Sequence, residues 1–372
     1  MKPLVLVTGG AGFIGSHIVE MLLERGYPVR VYDKLIEQVH SGSTPRYVPE
    51  GAEFIRGDMR DVDTLRRALD GVRMIVHDAA EVGVGQSMYE IVRYVDANTG
   101  GTAVLLELLA NESHQVERII VASSMSIYGE GAYFCDQDGE VFPRMRPEEQ
   151  LARHEWEVLC PKCGRLATPL ATPEDKPLLP TSIYAISKMD QEMMCLVVGQ
   201  AYDIPVVALR YFNTYGPRQA LSNPYTGVGA IFSSRLLNGR SPVVFEDGYQ
   251  GRDFIHVTDI ARANILALES DRANGQVLNI GTGRQLNVLG VAYILAERLG
   301  VDIEPEVVGQ YRAGDIRHCY ADVSRARELL GFEAEVRFED GMGELVDWIR
   351  EQEAVDRLDS ARAELKKRGL TR

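Results

Sequence analysis

Tyr184 and Lys188 stand four residues apart in the stretch YAISK. On a helix that spacing puts both side chains on one face. A lysine ammonium beside a phenol favours the phenolate and lowers a pKa that is ordinarily about 10. Tyr184 is therefore a candidate general base towards a substrate hydroxyl near neutral pH. The spacing alone is common, and two surface residues of a helix would satisfy it equally well. VASSMSIYG, residues 121–129, adds a second feature: an apolar run, read as a buried strand, that breaks into Ser123, Ser124 and Ser126. Ser124 can donate to, or accept from, the same substrate hydroxyl as Tyr184.

Near the N-terminus, TGGAGFIG sets Gly9, Gly12 and Gly15 between the apolar run LVLV and the helix-periodic SHIVEMLLERG. Glycine allows a tight turn and close approach of the backbone to a pyrophosphate. The helix N-terminus adds unpaired N–H groups and a positive dipole end. Asp33 closes the next strand-like run, PVRVYD, 18 positions after Gly15. A carboxylate there hydrogen-bonds ribose hydroxyls and repels a 2′-phosphate, so NAD is expected over NADP. Lys188 can also hold the nicotinamide ribose. A Gly-rich turn without a ligand is the simpler alternative, but strand, helix and acidic residue are all present in order.

Three of the five cysteines, Cys135, Cys160 and Cys163, fall in one stretch. CPKCGR is a knuckle: two thiols separated by two residues, then glycine for the turn. It suits tetrahedral zinc. CDQDG upstream is a similar half with Asp138 in the second position. A zinc ion would take Cys135, Cys160 and Cys163, with Asp138 or His154 as the fourth ligand; the alternative is a loop of reduced thiols. A closed four-ligand site of this kind is structural.

The elements that must position these residues are legible as an alternation. Strand-like LVLV, PVRVYD, AEFIRGD, RMIVHDAA and ERIIVASS are interleaved with helix-periodic segments. That pattern gives a parallel sheet with helices on both faces. The expected fold class is α/β: a Rossmann-type doubly wound parallel sheet over residues 1–208, with an irregular, cysteine-containing insertion at about 130–181. A smaller α/β substrate-binding region follows over 209–350, with 242–272 a candidate to return to the sheet, and 351–372 reads as a charged, solvated tail. The Gly- and Pro-containing loop after Asn213 suits a ligand-covering segment.

The 372 residues, 45% of them apolar, are enough for a large core and two domains. No apolar run approaches the roughly 20 residues needed to cross a bilayer. MKPLVLVTGG lacks the features of a signal peptide, so a soluble cytoplasmic protein is expected. A net charge of −14 without a long basic run argues against nucleic acid or anionic membrane as partners. An anionic ligand would need a local cluster of arginines or helix N-termini.

TGGAGFIGSH, HDAA, SSMSIYG, YAISK, RYFNTYGPR, GRDFIHVTDIA and RAGDIRHCYAD, in that order, resemble the extended short-chain dehydrogenase/reductase family, in its branch of nucleotide-sugar epimerases and dehydratases. The resemblance runs from residue 2 to about 350. It implies tyrosine-dependent hydride transfer to an NAD that stays bound through turnover, with Ser124, Tyr184 and Lys188 as the catalytic three. It implies cofactor contacts at Gly9, Gly12, Phe13, Ile14, Gly15, Asp33, Asp58, Met59, Ala79, Ala80 and Asn98, besides Tyr184 and Lys188. On the substrate side it implies Ser124, Ser126 and Asn213, with Arg252 and Arg312 gripping a diphosphate and Asp315 near the nucleoside ribose. Planar guanidinium forks bind phosphate oxygens bidentately. Asp253 and His256 read as structural, and a homodimer is expected.

In the 4,6-dehydratases of this family, a threonine at the position of Ser124 is followed by Asp-Glu, which handle protons while water leaves. Here Met125-Ser126 follows. A thioether has no proton to exchange and a serine is a poor acid at neutral pH, so elimination lacks its acid–base pair. What remains is oxidation at sugar carbon 4, rotation of the 4-keto sugar and hydride return to the opposite face, the work of a nucleotide-sugar 4-epimerase. The cysteine knuckle and AAEVGVGQSMYEIVRYVDAN are most similar to the dTDP-L-rhamnose 4-epimerases. A UDP-hexose or UDP-uronate 4-epimerase is the nearest competitor. An NAD(P)H-dependent nucleotide-4-ketosugar reductase would exchange its cofactor with solution, and a silent NAD-binding regulator often lacks the tyrosine or lysine.

Overall fold

The computed structural model describes residues 2–40, 45, 47–220, 227–350 and 358–371. Seven strands form one sheet: β1 (Val5–Thr8), β2 (Val29–Asp33), β3 (Glu53–Arg56), β4 (Met74–His77), β5 (Arg118–Ser124), β6 (Val206–Tyr211) and β7 (Val277–Ile280). Their spatial order is β3-β2-β1-β4-β5-β6-β7, and every pairing is parallel. The winding reverses between β1 and β4, which makes the switch point where ligands of such sheets bind. Thr8 pairs with both Tyr32 and His77. The loops after β1, β2 and β4 therefore open together at the carboxyl edge.

Strand periodicity sets the layers. Val5 and Val7 enter one core and Leu6 the other, as alternate residues must. Helices α1 (Phe13–Glu24), α2 (Gly101–Asn111), α3 (Ile183–Ala201) and α4 (Val257–Glu269) cover the sheet. Ile18 and Leu22 of α1 share a core with Ile260 and Ile265 of α4, while Leu105 and Leu106 of α2 share the other with Cys195 of α3. Each fully buried branched residue contributes about 1.5–3 kcal/mol. A third core, with Phe232, Leu236, Leu295, Met342 and Leu345, builds the smaller region. No described helix is long and apolar enough to cross a membrane.

Three boundaries differ from expectation. Within 242–272 only α4 returns to the sheet, by packing beside α1; Val243–Val244 pairs with Glu306–Val307 instead. The strand that completes the sheet is β7, whose Leu278, Asn279 and Ile280 are fully buried. The insertion has more order than its composition suggests: Gly139–Val141, Ala132–Cys135 and Thr168–Leu170 form a three-stranded antiparallel sheet. Tyr133, Val141, Val158 and Ala167 give it its own small core. The charged tail carries the expected helix, but not a fully solvated one. Helix α5 (Leu358–Lys367) buries Ala361 and Leu365. Residues 221–226, in the loop expected to cover a ligand, and 351–357 of the tail lie outside the described residues.

Candidate active site

The carboxyl edge of the sheet opens into one continuous cleft of about 620 Å³, within the size range of small-molecule sites. Gly9, Gly12, Phe13, Ile14, Asp33, Asp58, Met59, Ala79 and Ala80 line one end. Gly12 is the N-cap of α1 and offers no side-chain cap; the Gly15 N–H bonds the Asp78 carboxylate, and the N–H groups of Phe13 and Ile14 point to the anion site of the helix start. Gly9 has φ +72°, and a Cβ there would meet the Ala79 backbone at 2.9 Å. Only glycine lets the β1 loop lie this close to the β4 loop. Asp33 is fixed by accepting the Ala11 N–H at 3.0 Å and the Leu35 N–H at 2.8 Å. Asp58 pairs with Lys34 at 2.9 Å and Arg60 at 2.7 Å. An uncapped helix start, a glycine crossing and a fixed carboxylate fit the pyrophosphate and adenosine ribose of a dinucleotide.

Two residues expected to touch the cofactor, Gly15 and Asn98, are not among the residues that line the cleft. Gly15 packs α1 on its own loop: a Cβ would fall 2.2 Å from the Gly9 carbonyl oxygen. Asn98 is fully buried and its amide is engaged internally. Its oxygen accepts the Glu81 N–H at 2.7 Å, and its nitrogen donates to the Glu81 carbonyl at 3.1 Å and Ser187 Oγ at 2.9 Å. Asn98 thus ties the segment after β4 to α3.

Tyr184 and Lys188 sit in the first two turns of α3 and line the cleft with Ser124 and Ser126. The helix start is set by Ser182 Oγ, which accepts the Ala185 N–H at 3.1 Å, and by Ser87 Oγ, which accepts the Tyr184 N–H at 3.0 Å. Lys188 Nζ donates to Gln191 Oε1 at 2.8 Å, and Gln191 in turn donates to the Ala79 carbonyl at 3.2 Å and Thr102 Oγ1 at 2.9 Å. Ser126 Oγ donates to Ser124 Oγ at 2.9 Å, which leaves the Ser124 proton for Tyr184. Ser123 serves the frame. It donates to Glu192 at 2.6 Å, and Glu192 pairs with Arg210 at 2.5 Å, both buried. Removing one partner of such a pair costs about 3–5 kcal/mol, so the clamp holds α3 against β5 and β6.

The electrostatics depart from the sequence argument. Burial pushes the Tyr184 phenol up to about 12; a hydrogen bond from Ser124 pulls it back and the Asp78 carboxylate adds to the rise. Lys188 does not reverse this. Burial pushes its own ammonium down, and Asp78 opposes that push. Burial likewise pushes Asp78 up, with Lys188 pulling it down. Asp78 lines the cleft but went unremarked as one letter of HDAA, because neither spacing nor periodicity marks it.

Asn213, Arg252, Arg312 and Asp315 line the other end. The two arginines are brought together on Asp315. Arg252 reaches it at 3.1 Å and Arg312 at 2.7 Å. Arg252 is also held by the Gly251 and Arg317 carbonyls, each at 2.9 Å, and by the Ile316 carbonyl at 2.7 Å. Against the upward push of burial, Arg312 and Arg252 hold Asp315 down at about 2. The amide oxygens of Asn213, Gln219 and Gln250 are buried and find no partner among the described residues. All three residues line the cleft, so these acceptors are available to a ligand. Asp253 accepts N–H groups of Thr282, Gly283 and Ala321, and His256 bonds Thr258; both are part of the frame. Leu358, Ala361, Arg362, Leu365 and Leu370 of the tail also line the cleft. Their signal was present as Leu358, Ala361 and Leu365 at helical spacing in a charged run.

In the insertion, Cys135, Asp138, Cys160 and Cys163 present ligand atoms all within 4.8 Å of one another. Cys135 and Cys163 sulfurs lie 3.4 Å apart, and an Asp138 oxygen lies 3.6 Å from Cys135 and 3.3 Å from Cys160. A tetrahedron with arms of ~2.3 Å has edges of roughly 3.5–3.8 Å, so the set fits zinc. His154 is not in it; its ring packs on Trp156, centroids 5.1 Å apart. The insertion is wired to the segment that carries Asp315. Glu130 accepts the Arg317 and His318 N–H groups at 2.9 and 2.8 Å, and buried Arg146 pairs with Glu246 at 2.8 Å. Arg317 is fully buried between Glu157, Glu246 and Asp247.

The family model described as the NAD dependent epimerase/dehydratase family matches residues 5–152 and 163–281. The dTDP-L-rhamnose 4-epimerase of Burkholderia thailandensis is 35% identical over 94% of this chain and 95% of its own. The UDP-glucuronic acid 4-epimerase of Bacillus cereus, solved with UDP-glucuronic acid and NAD, has a TM-score of 0.77 at 28% identity, covering 93% of this chain and 99% of its own. The UDP-N-acetylglucosamine 4-epimerase of Methanobrevibacter ruminantium, solved with UDP-N-acetylmuramic acid, has a TM-score of 0.76 at 33% identity, covering 95% of this chain and 100% of its own.

Proposed function

We propose that this chain, which belongs to the NAD dependent epimerase/dehydratase family, is a nucleotide-sugar 4-epimerase that retains its NAD. The observation that carries the reading is the convergence of Tyr184, Lys188 and Ser124 in one cleft between a glycine-rich anion site and an arginine-lined end. Tyr184 takes the proton of the carbon-4 hydroxyl, Ser124 holds that oxygen and by its hydrogen bond favours the phenolate, and Lys188 would hold the nicotinamide ribose. Bound NAD would supply the acceptor for the carbon-4 hydride and the donor that returns it to the other face. Arg252 and Arg312 hold the diphosphate while the hexose turns, and Tyr184 returns the proton. Met125, buried, and Ser126 follow Ser124, so no carboxylate stands in the chain beside it to drive loss of water.

The substrate we propose is a dTDP-6-deoxy-L-hexose, interconverted between dTDP-L-rhamnose and dTDP-6-deoxy-L-talose. The near full-length likeness to the Burkholderia enzyme supports it. A UDP-hexose or UDP-uronate is the second reading, supported by the UDP-sugars bound in the structural neighbours. Incubating the purified protein with a panel of dTDP- and UDP-sugars, without added cofactor, and following products by NMR decides between them. A new carbon-4 stereoisomer is expected. Turnover only with added NADH or NADPH would favour a ketosugar reductase. Tyr184→Phe should abolish turnover while NAD stays bound.

We further propose a structural zinc on Cys135, Asp138, Cys160 and Cys163, supported by the gathering of their four ligand atoms within 4.8 Å of one another. Elemental analysis of protein purified without chelator should find it near one per chain. The family resemblance also supports a cytoplasmic homodimer, which light scattering tests for its assembly.

A further inference from the structure

The tail is anchored on both sides of the cleft. Asp359 pairs with Arg235 and Arg240, each at 2.9 Å. Beyond α5, the Leu370 carbonyl accepts the Ala313 N–H at 3.0 Å, and Thr371 forms an antiparallel bridge with Arg312 itself. Arg368 lies over the Tyr89 ring at 4.2 Å, on the segment that leads to Asn98. The strap therefore runs from the smaller region, over the substrate end, to the sheet domain. Beneath it, Arg312 lies 4.8 Å and Arg362 5.9 Å from the centroid of Phe245. Arg362 reaches Gln310 at 3.4 Å and pairs with no carboxylate among the described residues, whereas Arg252 and Arg312 share Asp315.

We propose that residues 358–371 form one wall of the nucleotide-sugar site and that Arg362 is a diphosphate-binding residue. The inference rests on the nucleotide-sugar reading above. Asp315 cancels one of the two positive charges it joins, so that pair alone offers a single net charge to a dianion. Arg362 adds the second, and its guanidinium can take phosphate oxygens through two parallel N–H groups. Leu358, Ala361, Leu365 and Leu370 exclude water from the same wall, which strengthens the charge pairing. The β-bridge to Thr371 also fixes the backbone on which Arg312 is mounted.

The test uses the NAD-loaded protein and two probes, TDP and UDP, followed by titration calorimetry. Arg362→Ala, at a partly exposed helix position, and a chain ended after Arg350 are compared with the full chain, with NAD content as the folding control. The full chain should bind at least one probe. Arg362→Ala should weaken that binding about tenfold, and the shortened chain at least as much, with NAD content unchanged. Equal binding by the full chain and Arg362→Ala overturns the inference and leaves the nucleotide-sugar reading intact. Tighter binding by the shortened chain overturns it as well, since the tail would then be a plug. A full chain that binds neither probe overturns the nucleotide-sugar reading and this inference with it.

Discussion

Gly15→Ala isolates the loop that the cofactor end depends on. The new Cβ would stand 2.2 Å from the Gly9 carbonyl oxygen and 2.8 Å from Gly10 Cα. Both neighbours are backbone, so no side chain can swing away. The contact falls short of van der Waals separation by roughly 1 Å, and either α1 or the loop must move by that much. Overpacking of this kind costs about 1–3 kcal/mol of stability. The greater loss is in the anion site, because the uncapped N–H groups of α1 and the loop must converge on the same phosphate. Losing one such hydrogen bond to a charged group is worth about 1.5–3 kcal/mol, a ten- to hundredfold drop in NAD affinity. Gly26, just past the other end of α1, is the control. It has φ +78° with nothing near its Cβ position, so Gly26→Ala should cost about 1–2 kcal/mol of stability and leave NAD untouched. Acid-released NAD per chain, with calorimetric titration of NAD onto stripped protein, reads both variants. Wild-type NAD affinity in Gly15→Ala would refute the reasoning.

Asp78→Asn removes a charge that raises the Tyr184 phenol, so the acid limb of the pH–rate profile should move to lower pH; an unmoved limb, or movement upward, contradicts the assigned electrostatics. Stripping the proposed zinc with a chelator, or Cys160→Ser, should release Arg146 and Glu130 from their fixed positions near Asp315 and raise KM for the nucleotide sugar several-fold, with NAD content constant; a fall in NAD content with unchanged KM would contradict that wiring. Burial, helped by Arg218, holds His17 down at about 4 against 6.5 for the free group. Its folded pKa is depressed, so the stability it contributes is complete above pH 6.5 and is lost as pH falls through about 4, by up to about 3 kcal/mol. Urea unfolding across that range should show the loss in the wild type and a flatter profile in His17→Gln; identical profiles would contradict it.

Local rules made most of the frame legible. Val5, Leu6 and Val7 are apolar on both faces of a strand, which only a doubly covered parallel sheet allows, and Gly9, Gly12 and Asp33 follow at fixed distances. Tyr184, Lys188 and Ser124 are marked in the sequence by a helical repeat and a strand end, and all three line the cleft. Asn98 and Gly15 are expected at the cofactor from motif position alone, which carries no information on whether a residue lines the cleft, and neither does. The depression of Tyr184 is expected from Lys188 together with the charge of an oxidised nicotinamide, and among the protein's own groups desolvation by the cleft opposes it. β7 and the tail were misjudged for a related reason: pairing with β6 and anchoring on Arg235, Arg240 and Ala313 join residues far apart in sequence. The choice of Asp138 over His154 likewise needed the fold of the insertion.

Central to the account is that carbon 4 loses and regains the same hydride. Protein carrying only its retained NAD, incubated in heavy water with dTDP-L-rhamnose and with UDP-glucose, tests this directly. The product of whichever sugar reacts should be its carbon-4 epimer, with no deuterium at carbon 4 and none at carbons 3 or 5. Deuterium at carbon 3 or 5 would show proton abstraction in place of hydride transfer, and deuterium at carbon 4, or no epimer from either sugar, would contradict the account.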